Sequence, residues 1–357
     1  MTQSEQGQPS VAERKELQLG LDTFGDVTVD AAGTPLSHAQ AIRNLVEQAV
    51  LADELGLDVF AVGEHHRADF AVSAPEVVLA AIAGRTARIR LGSAVTVLSS
   101  DDPVRVYERF ATLDALSNGR ADIILGRGSF TESFPLFGFD LADYQLLFEE
   151  KIELFAELLK EKPVTWSGQT RAALRDQPVF PPTESGSITT WVGVGGSPES
   201  VVRAARYGLP LLLAIIGGEP LRFAPYVDLY KRALTQFDRP LLPVGAHSPG
   251  HVAATDEQAH DELWPHYAAM HQRIGAERGW PPMTRDQFDH EAGPDGAIFA
   301  GSPETVAAKI VKVVRGLELS RFDLKYSNGT MPHAQLLESI RLYGREVAPM
   351  VREQLSR

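Results

Sequence analysis

There is no cysteine among the 357 residues, which removes disulfides, thiolate catalysis and Cys-ligated zinc from consideration. Long apolar runs are missing too. The longest, LPLLLAII at 209 to 216, is strand-length and far short of the roughly 20 residues that a bilayer helix needs. Basic charge is scarce, with 34 Lys and Arg against 47 Asp and Glu and a formal charge of −13. No basic run stands out, so a nucleic-acid partner is not expected, because phosphate contacts need clustered Lys and Arg. The first sixteen residues, MTQSEQGQPSVAERKE, contain no apolar segment fit for a secretory signal and read as a flexible leader before a domain over 17–357. These absences together describe a cytoplasmic protein, with no membrane anchor, whose partner is a small molecule.

What is present is a βα rhythm. Hydrophobic residues at 44% and charged residues at 23% are ordinary globular values that allow a sizeable core. Strand-like runs at 17 to 24, 57 to 63, 89 to 98 and 121 to 127 alternate with helix-period segments at 38 to 56, 75 to 87, 103 to 117 and 146 to 160. Residues 161 to 188 then break the rhythm with prolines and no helical period, as lids and binding loops do. Strands at 189 to 195, 209 to 216, 241 to 247 and 322 to 327 follow, with helices at 198 to 208, 220 to 236, 256 to 275, 303 to 317 and 333 to 355. Eight such units without a linker predict a single (β/α)8 TIM barrel with insertions after helix 4 and around helix 7, its site at the carboxyl ends of the strands.

Four stretches at those ends carry chemistry. AVGEHHRADF, at 61 to 70, runs from a strand straight into Glu64, His65, His66 and Arg67. A bland reading makes one histidine a cap and leaves the others solvated; three polar groups together on the rim favour a functional site. In VGVGGSPESVV, Gly195, Gly196, Ser197 and Ser200 stand where strand five meets a helix start, and free N–H groups with serine hydroxyls there suit an anion. Ser-Pro-Glu is also a good helix cap, and a near copy, AGSPETVAAKI at 300 to 310, uses the same grammar. The first copy has an extra glycine directly after a strand and is the preferred anion site. ILGRGSF puts Arg127 and Ser129 at the end of strand four, where a guanidinium could reach the same anion. The next residues include Phe130, Phe134, Phe137 and Phe139, candidates for an apolar wall, with the 161 to 188 segment as a lid. His247 and His251 make a metal site conceivable, but Pro249 and Gly250 predict a turn there, and none is expected.

GEHHRADF, LGSAVTVLSSDDPVRVYERFATLDALSNGRADIILGRGSF and VGVGGSPESVVRAARYGLP, in this order and spacing, resemble the bacterial luciferase-like flavin monooxygenases over roughly residues 17 to 350. The resemblance implies an FMN phosphate held at Arg127, Gly196, Ser197 and Ser200, with Ser129 and Gly195 alongside. It implies that Ala94 and Val95 lie beneath the flavin ring, joined by a non-prolyl cis peptide. His65 would be the catalytic base, with Glu64 and His66 setting its tautomer and orientation. Gln145 stands where the family carries a second phosphate-binding arginine, so a neutral amide replaces a charge there. The activity implied is oxygenation of a small organic substrate by reduced FMN and O2, in a site that excludes water. Reduced FMN would come from a separate NAD(P)H:flavin reductase, and the family habit implies a homodimer. A deazaflavin-dependent dehydrogenase and a non-catalytic flavin-binding protein are the alternatives.

Overall fold

The computed structural model describes residues 17–30 and 32–357; the leader expected over 1–16 lies outside the described residues. The first half of the chain alternates β1 (Gln18–Thr23), α1 (His38–Glu54), β2 (Val59–Val62), α2 (Pro75–Ala83), β3 (Arg90–Ser93), the short β4 (Thr96–Val97) and α3 (Pro103–Leu116). β5 (Ala121–Gly126) is followed by a one-turn helix, α4 (Ser133–Phe137), and by α5 (Tyr144–Leu158). The second half continues through β6 (Val164–Trp166), β7 (Leu174–Gln177), β8 (Thr189–Val194), α6 (Pro198–Tyr207), β9 (Leu211–Ala214), α7 (Ala224–Gln236) and β10 (Val244–Val252). Two helices, α8 (Asp256–Arg278) and α9 (Arg285–Ala292), precede β11 (Phe299–Gly301), α10 (Pro303–Leu317) and β12 (Arg321–Lys325). The last helix is α11 (His333–Leu342), which runs through a π turn into α12 (Ala348–Ser356).

β1, β2, β3, β5, β8, β9, β10 and β12 pair in parallel in that order, and β12 returns to β1 to close the barrel. The strand-to-helix turns share one local solution. Asp102, Ser197 and Ser302 each cap a helix through the side chain, and a proline follows at the first helical position, where its missing N–H costs nothing.

There are two apolar layers. The larger lies between the strands and the helices; the smaller, inside the barrel, consists of Ala61, Ala94, Ile124, Trp191 and Leu212. Below this inner layer the barrel is ionic. Arg321, fully buried, bonds Asp323 through Nη2 at 2.7 Å and Asp122 through Nη1 at 2.9 Å. Such a cluster is tolerated because each charge is met by an opposite one.

Three expectations change. The 161 to 188 segment holds the antiparallel hairpin β6–β7, fastened along the outside of the helical layer: Arg171 pairs with Asp102, Trp166 with Glu153, and Ser185 with Asp114. It therefore covers α3 and α5, not the strand ends. Residues 247 to 251 are not a turn but the second half of β10. Its pairing with β9 stops at His247, so Pro249 has no neighbour on that side asking for an N–H. The last helix is interrupted by the π turn at Tyr343–Val347.

Candidate active site at the strand ends

A cavity of about 850 Å3 opens at the carboxyl ends of the strands. It is lined by Glu64, His65, Ala94, Val95, Arg127, Ser129, Gly195, Gly196 and Ser197, so nearly all the residues singled out from the sequence meet in one place.

His65 follows directly on the end of β2. Its ring stacks on Phe70 at 4.4 Å between centroids and meets the edges of Phe24 and Phe130, each at 5.0 Å. Among the described residues this cage leaves it one ionic neighbour, Glu132, 3.6 Å from Nδ1. Burial works against the Glu132 charge, but His65 and the backbone N–H groups of Glu132 and His66 together outweigh it and hold the carboxyl below its usual range.

Glu64 does not orient His65. One carboxylate oxygen lies 3.0 Å from His66 Nε2 and the other accepts the Val97 N–H at 3.0 Å. Buried at 8% exposure, Glu64 ties the rim of β2 to the segment that follows β3.

That segment contains the Ala94–Val95 peptide, which is cis as the resemblance implied. Val95 projects into the cavity because Gly126 makes room for it: a Cβ at 126 would lie 2.4 Å from Val95 Cγ2. Gly126 and Gly193, the other glycine against Val95, were not singled out from the sequence. Both lie inside strands, where a missing side chain is itself a signal of close approach.

The anion corner forms around Gly196, whose φ of 114° is open to glycine almost alone. Among the described residues no backbone hydrogen bond runs from the N–H of Gly196 or Ser197, while Ser197 Oγ accepts from Ser200 N and donates to Glu199. Arg127 faces the cavity with no carboxylate partner among the described residues; its Nη1 donates to Gln145 Oε1 at 3.2 Å. Gln145 is thus a neighbour of Arg127, although it does not line the cavity. Ser200 does not line the cavity. It is buried, and its hydroxyl accepts from Arg203.

The near copy at 300 to 310 is already occupied by the chain itself. Asp256 accepts from Ser302 N at 2.7 Å and from Thr305 Oγ1 at 3.0 Å, so an incoming anion would meet a carboxylate.

Of the four phenylalanines only Phe130 lines the cavity. Phe134 is core and stacks on Tyr144, Phe137 lies against His66, and Phe139 packs under the Lys151 ammonium. The outer wall comes from α8 and the loop after it: Tyr267, Met270, His271, Ile274, Arg278, Trp280 and Met283.

On the floor, Asp22 escaped the sequence reading, and His247, weighed there only as a metal ligand, proves to be its partner. His247 Nδ1 lies 3.2 Å from an Asp22 oxygen, and both face the cavity. Burial works to depress the His247 pKa, but the charge and hydrogen bond of Asp22 together with the Asp323 charge outweigh it and raise it. A charged residue inside an apolar strand, as in LGLDTF, was the available signal. His251 lies apart, with Nε2 2.7 Å from Glu262. Among the described residues no three His, Cys, Asp or Glu side chains converge as a metal site requires, and no helix is long and apolar enough to cross a membrane.

A closed βα barrel whose strand-end cavity joins an anion corner to a caged imidazole has the form of a binding site for an anionic small molecule. The model of the luciferase-like monooxygenases matches residues 23–318, and the chain belongs to that family. An N-acetyl-S-alkylcysteine monooxygenase of Bacillus subtilis is 32% identical over 230 residues, 62% of this chain and 63% of the relative. A Sinorhizobium fredii protein is 34% identical over 134 residues, 37% of this chain. The chain thus spans less than two thirds of these two curated relatives, 38% and 63% of their lengths. Among solved structures, the monooxygenase RslO1 from Streptomyces bottropensis superposes with a TM-score of 0.79 at 22% identity, covering 93% of this chain and 99% of the other. The oxygenating constituent of 3,6-diketocamphane monooxygenase from Pseudomonas putida, in complex with FMN, gives 0.75 at 17%, covering 94% and 98%. An F420-dependent secondary alcohol dehydrogenase gives 0.73 at 15%, covering 94% and 99%. At these identities the superpositions show the shared barrel.

Proposed function

We propose that this chain is the oxygenating component of an FMN-dependent monooxygenase, acting on a small organic substrate and fed reduced FMN by a separate NAD(P)H:flavin reductase. The observation that carries the reading is that one cavity joins the open anion corner to His65. The residues fit a phosphate once the Glu199 carboxylate releases the Ser197 hydroxyl: among the described residues Arg127 makes no salt bridge, the N–H groups of Gly196 and Ser197 are uncommitted, and Gly196 lets the backbone approach an anion.

Arg127, Gly195, Gly196 and Ser197 would hold the phosphate of FMN, with Ser129 beside them, while Ala94 and Val95 would support its ring. When bound, reduced FMN supplies the electrons that activate O2. The remaining work falls to the chain. Phe24, Phe70 and Phe130 strip water from around His65, and α8 closes the cavity from outside. Glu132, 3.6 Å from Nδ1, and not Glu64 is the carboxylate placed to close on that side of His65, which leaves Nε2 to take or return a proton. Two copies are proposed to pair through α2 and α3, where Val77 and Leu116 are exposed at 70% and 59%.

Chemically reduced FMN, supplied under 18O2 with candidate substrates, should give product carrying one labelled oxygen. Turnover that runs anaerobically with F420 and fails with FMN would instead establish the deazaflavin dehydrogenase reading, which the likeness to F420-dependent barrels keeps in view.

A further inference from the structure

The inner face of α8 carries Tyr267, Met270, His271, Ile274 and Arg278, which fall on one side of the helix and all line the cavity. An arginine on such a face, in a chain with 47 acidic residues against 34 basic ones, is expected to find a carboxylate. Its neighbours do: Asp69 and Glu277 take Arg67, and Asp69 also takes Arg273. Arg278 has none within the described residues, since the adjacent Glu277 is turned to Arg67. The one hydrogen bond it makes to the protein runs from Nη2 to the Ser129 carbonyl at 3.0 Å, which leaves most of the guanidinium's donors uncommitted.

The guanidinium is nevertheless held in place. It rests against the rings of Phe130, at 4.7 Å, and Trp280, at 5.2 Å. On the same Trp280 ring, 5.6 Å away, lies His271, whose buried Nδ1 has no partner. Arg278, half-buried, thus faces the cavity with donors that no carboxylate meets, and against the same Trp280 ring the His271 Nδ1 is buried without a partner among the described residues, where an unpaired polar group is costly. Arg222, the other cavity arginine on this side without a carboxylate, is exposed, so water already serves it.

We infer that the substrate is an organic acid: an apolar body lying along Met270, Ile274 and Phe130, with a carboxylate received by Arg278 and supported by His271. This specificity rests on the reading of the cavity as the site of an oxygenase. Two parallel N–H groups of a guanidinium match the two oxygens of a carboxylate, and the stacked rings prepay the ordering of the side chain. The same guanidinium could instead serve the FMN phosphate, because Ser129 lies two residues beyond Arg127; the test separates the two.

Calorimetry on the full chain without flavin would compare octanoate, other medium-chain alkanoates and phenylalkanoates such as 4-phenylbutyrate, each against its own primary amide. At least one acid should bind about tenfold or more tightly than its amide, the scale of a charge-assisted hydrogen bond. Arg278→Gln should bring the pair to parity, Arg278→Lys should keep part of the preference, and both should leave FMN affinity within about twofold, as expected for a residue off the phosphate corner. Circular dichroism would establish that the variants are folded. No acid preferred over its amide, or a preference that survives Arg278→Gln, overturns the inference. Loss of FMN affinity in Arg278→Gln with the acid preference intact also overturns it, and assigns the guanidinium to the phosphate. Because acid binding is read without flavin or turnover, failure of the flavin reading would show separately, as FMN that does not bind while the acid preference stands.

Discussion

Replacing Gly126 by alanine should damage the cavity through one contact. The added methyl would lie 2.4 Å from Val95 Cγ2, 2.9 Å from its Cβ and 3.1 Å from its Cγ1, where carbon atoms prefer about 3.5–4.0 Å. Gly126 is not in the left-handed region, so the penalty is steric alone. Val95 cannot easily swing aside, because its branched Cβ leaves few rotamers. The expected loss is that of an overpacked core, about 1–3 kcal/mol. Val95 has one free direction, into the cavity, so FMN affinity should fall as well.

Urea denaturation without flavin, paired with FMN titration, would read both effects. Val95→Ala alone should cost about 1 kcal/mol for the lost side-chain carbons. In the double variant the 2.4 Å and 3.1 Å contacts vanish and the one at 2.9 Å remains. Stability should therefore recover in part, with a coupling of about 1 kcal/mol between neighbours that share a contact. Gly193→Ala, whose methyl would come no nearer than 3.2 Å to Val95, serves as the milder control. Gly126→Ala as stable as the parent, or two substitutions whose costs simply add, would refute the reasoning.

The phosphate corner predicts that Arg127→Gln lowers the preference for FMN over riboflavin roughly tenfold to hundredfold, the range for losing a charge-assisted bond; an unchanged preference in a fluorescence titration would count against the corner. Gln145→Arg, beside Arg127 at 3.2 Å, should tighten FMN binding at low salt, with the gain fading as salt is added. Glu64→Ala should cost roughly 2 kcal/mol or more in urea denaturation, because it strands the buried Val97 N–H and removes the partner of His66. The His247 pKa is raised in the folded protein, so its pairing with Asp22 contributes fully below about pH 6.5 and is lost as pH rises through the elevated value. The stability gap between the parent and His247→Gln should shrink across that window; a gap that is flat or widens with pH would contradict the pairing.

The eight barrel units were legible because each strand and its helix carry the apolar period of elements that bury one face against the other. The pieces that were not legible lack that period for a physical reason. β7 is largely exposed, with the burial of an outlying hairpin, so its sequence alternates nothing. α8 was expected as a helix over 256 to 275, but its role was not read: the row of Met270, Ile274 and Arg278 lines a cavity. An apolar stripe was never required of it, and the wall of the site went unread while the prolines at 161 to 188 drew attention to a segment on the far side of α5.

The same reasoning explains the misplaced partner of His65. Adjacency made Glu64 the natural candidate, but in extended chain leaving a strand successive side chains point to opposite sides and alternate ones share a side. Glu64 is thus placed to meet His66, 3.0 Å away, and not the residue between them. His65, facing the other way into the mouth of the barrel, has to find its carboxylate on another element. The loop after β5 supplies it as Glu132, next to the Phe130 that cages the ring. If that geometry governs the proton chemistry, Glu132→Gln should shift the pH profile of turnover with little change in fold stability, whereas Glu64→Gln should lower stability and leave the profile in place. The reverse pattern would return the orienting role to the sequence neighbour.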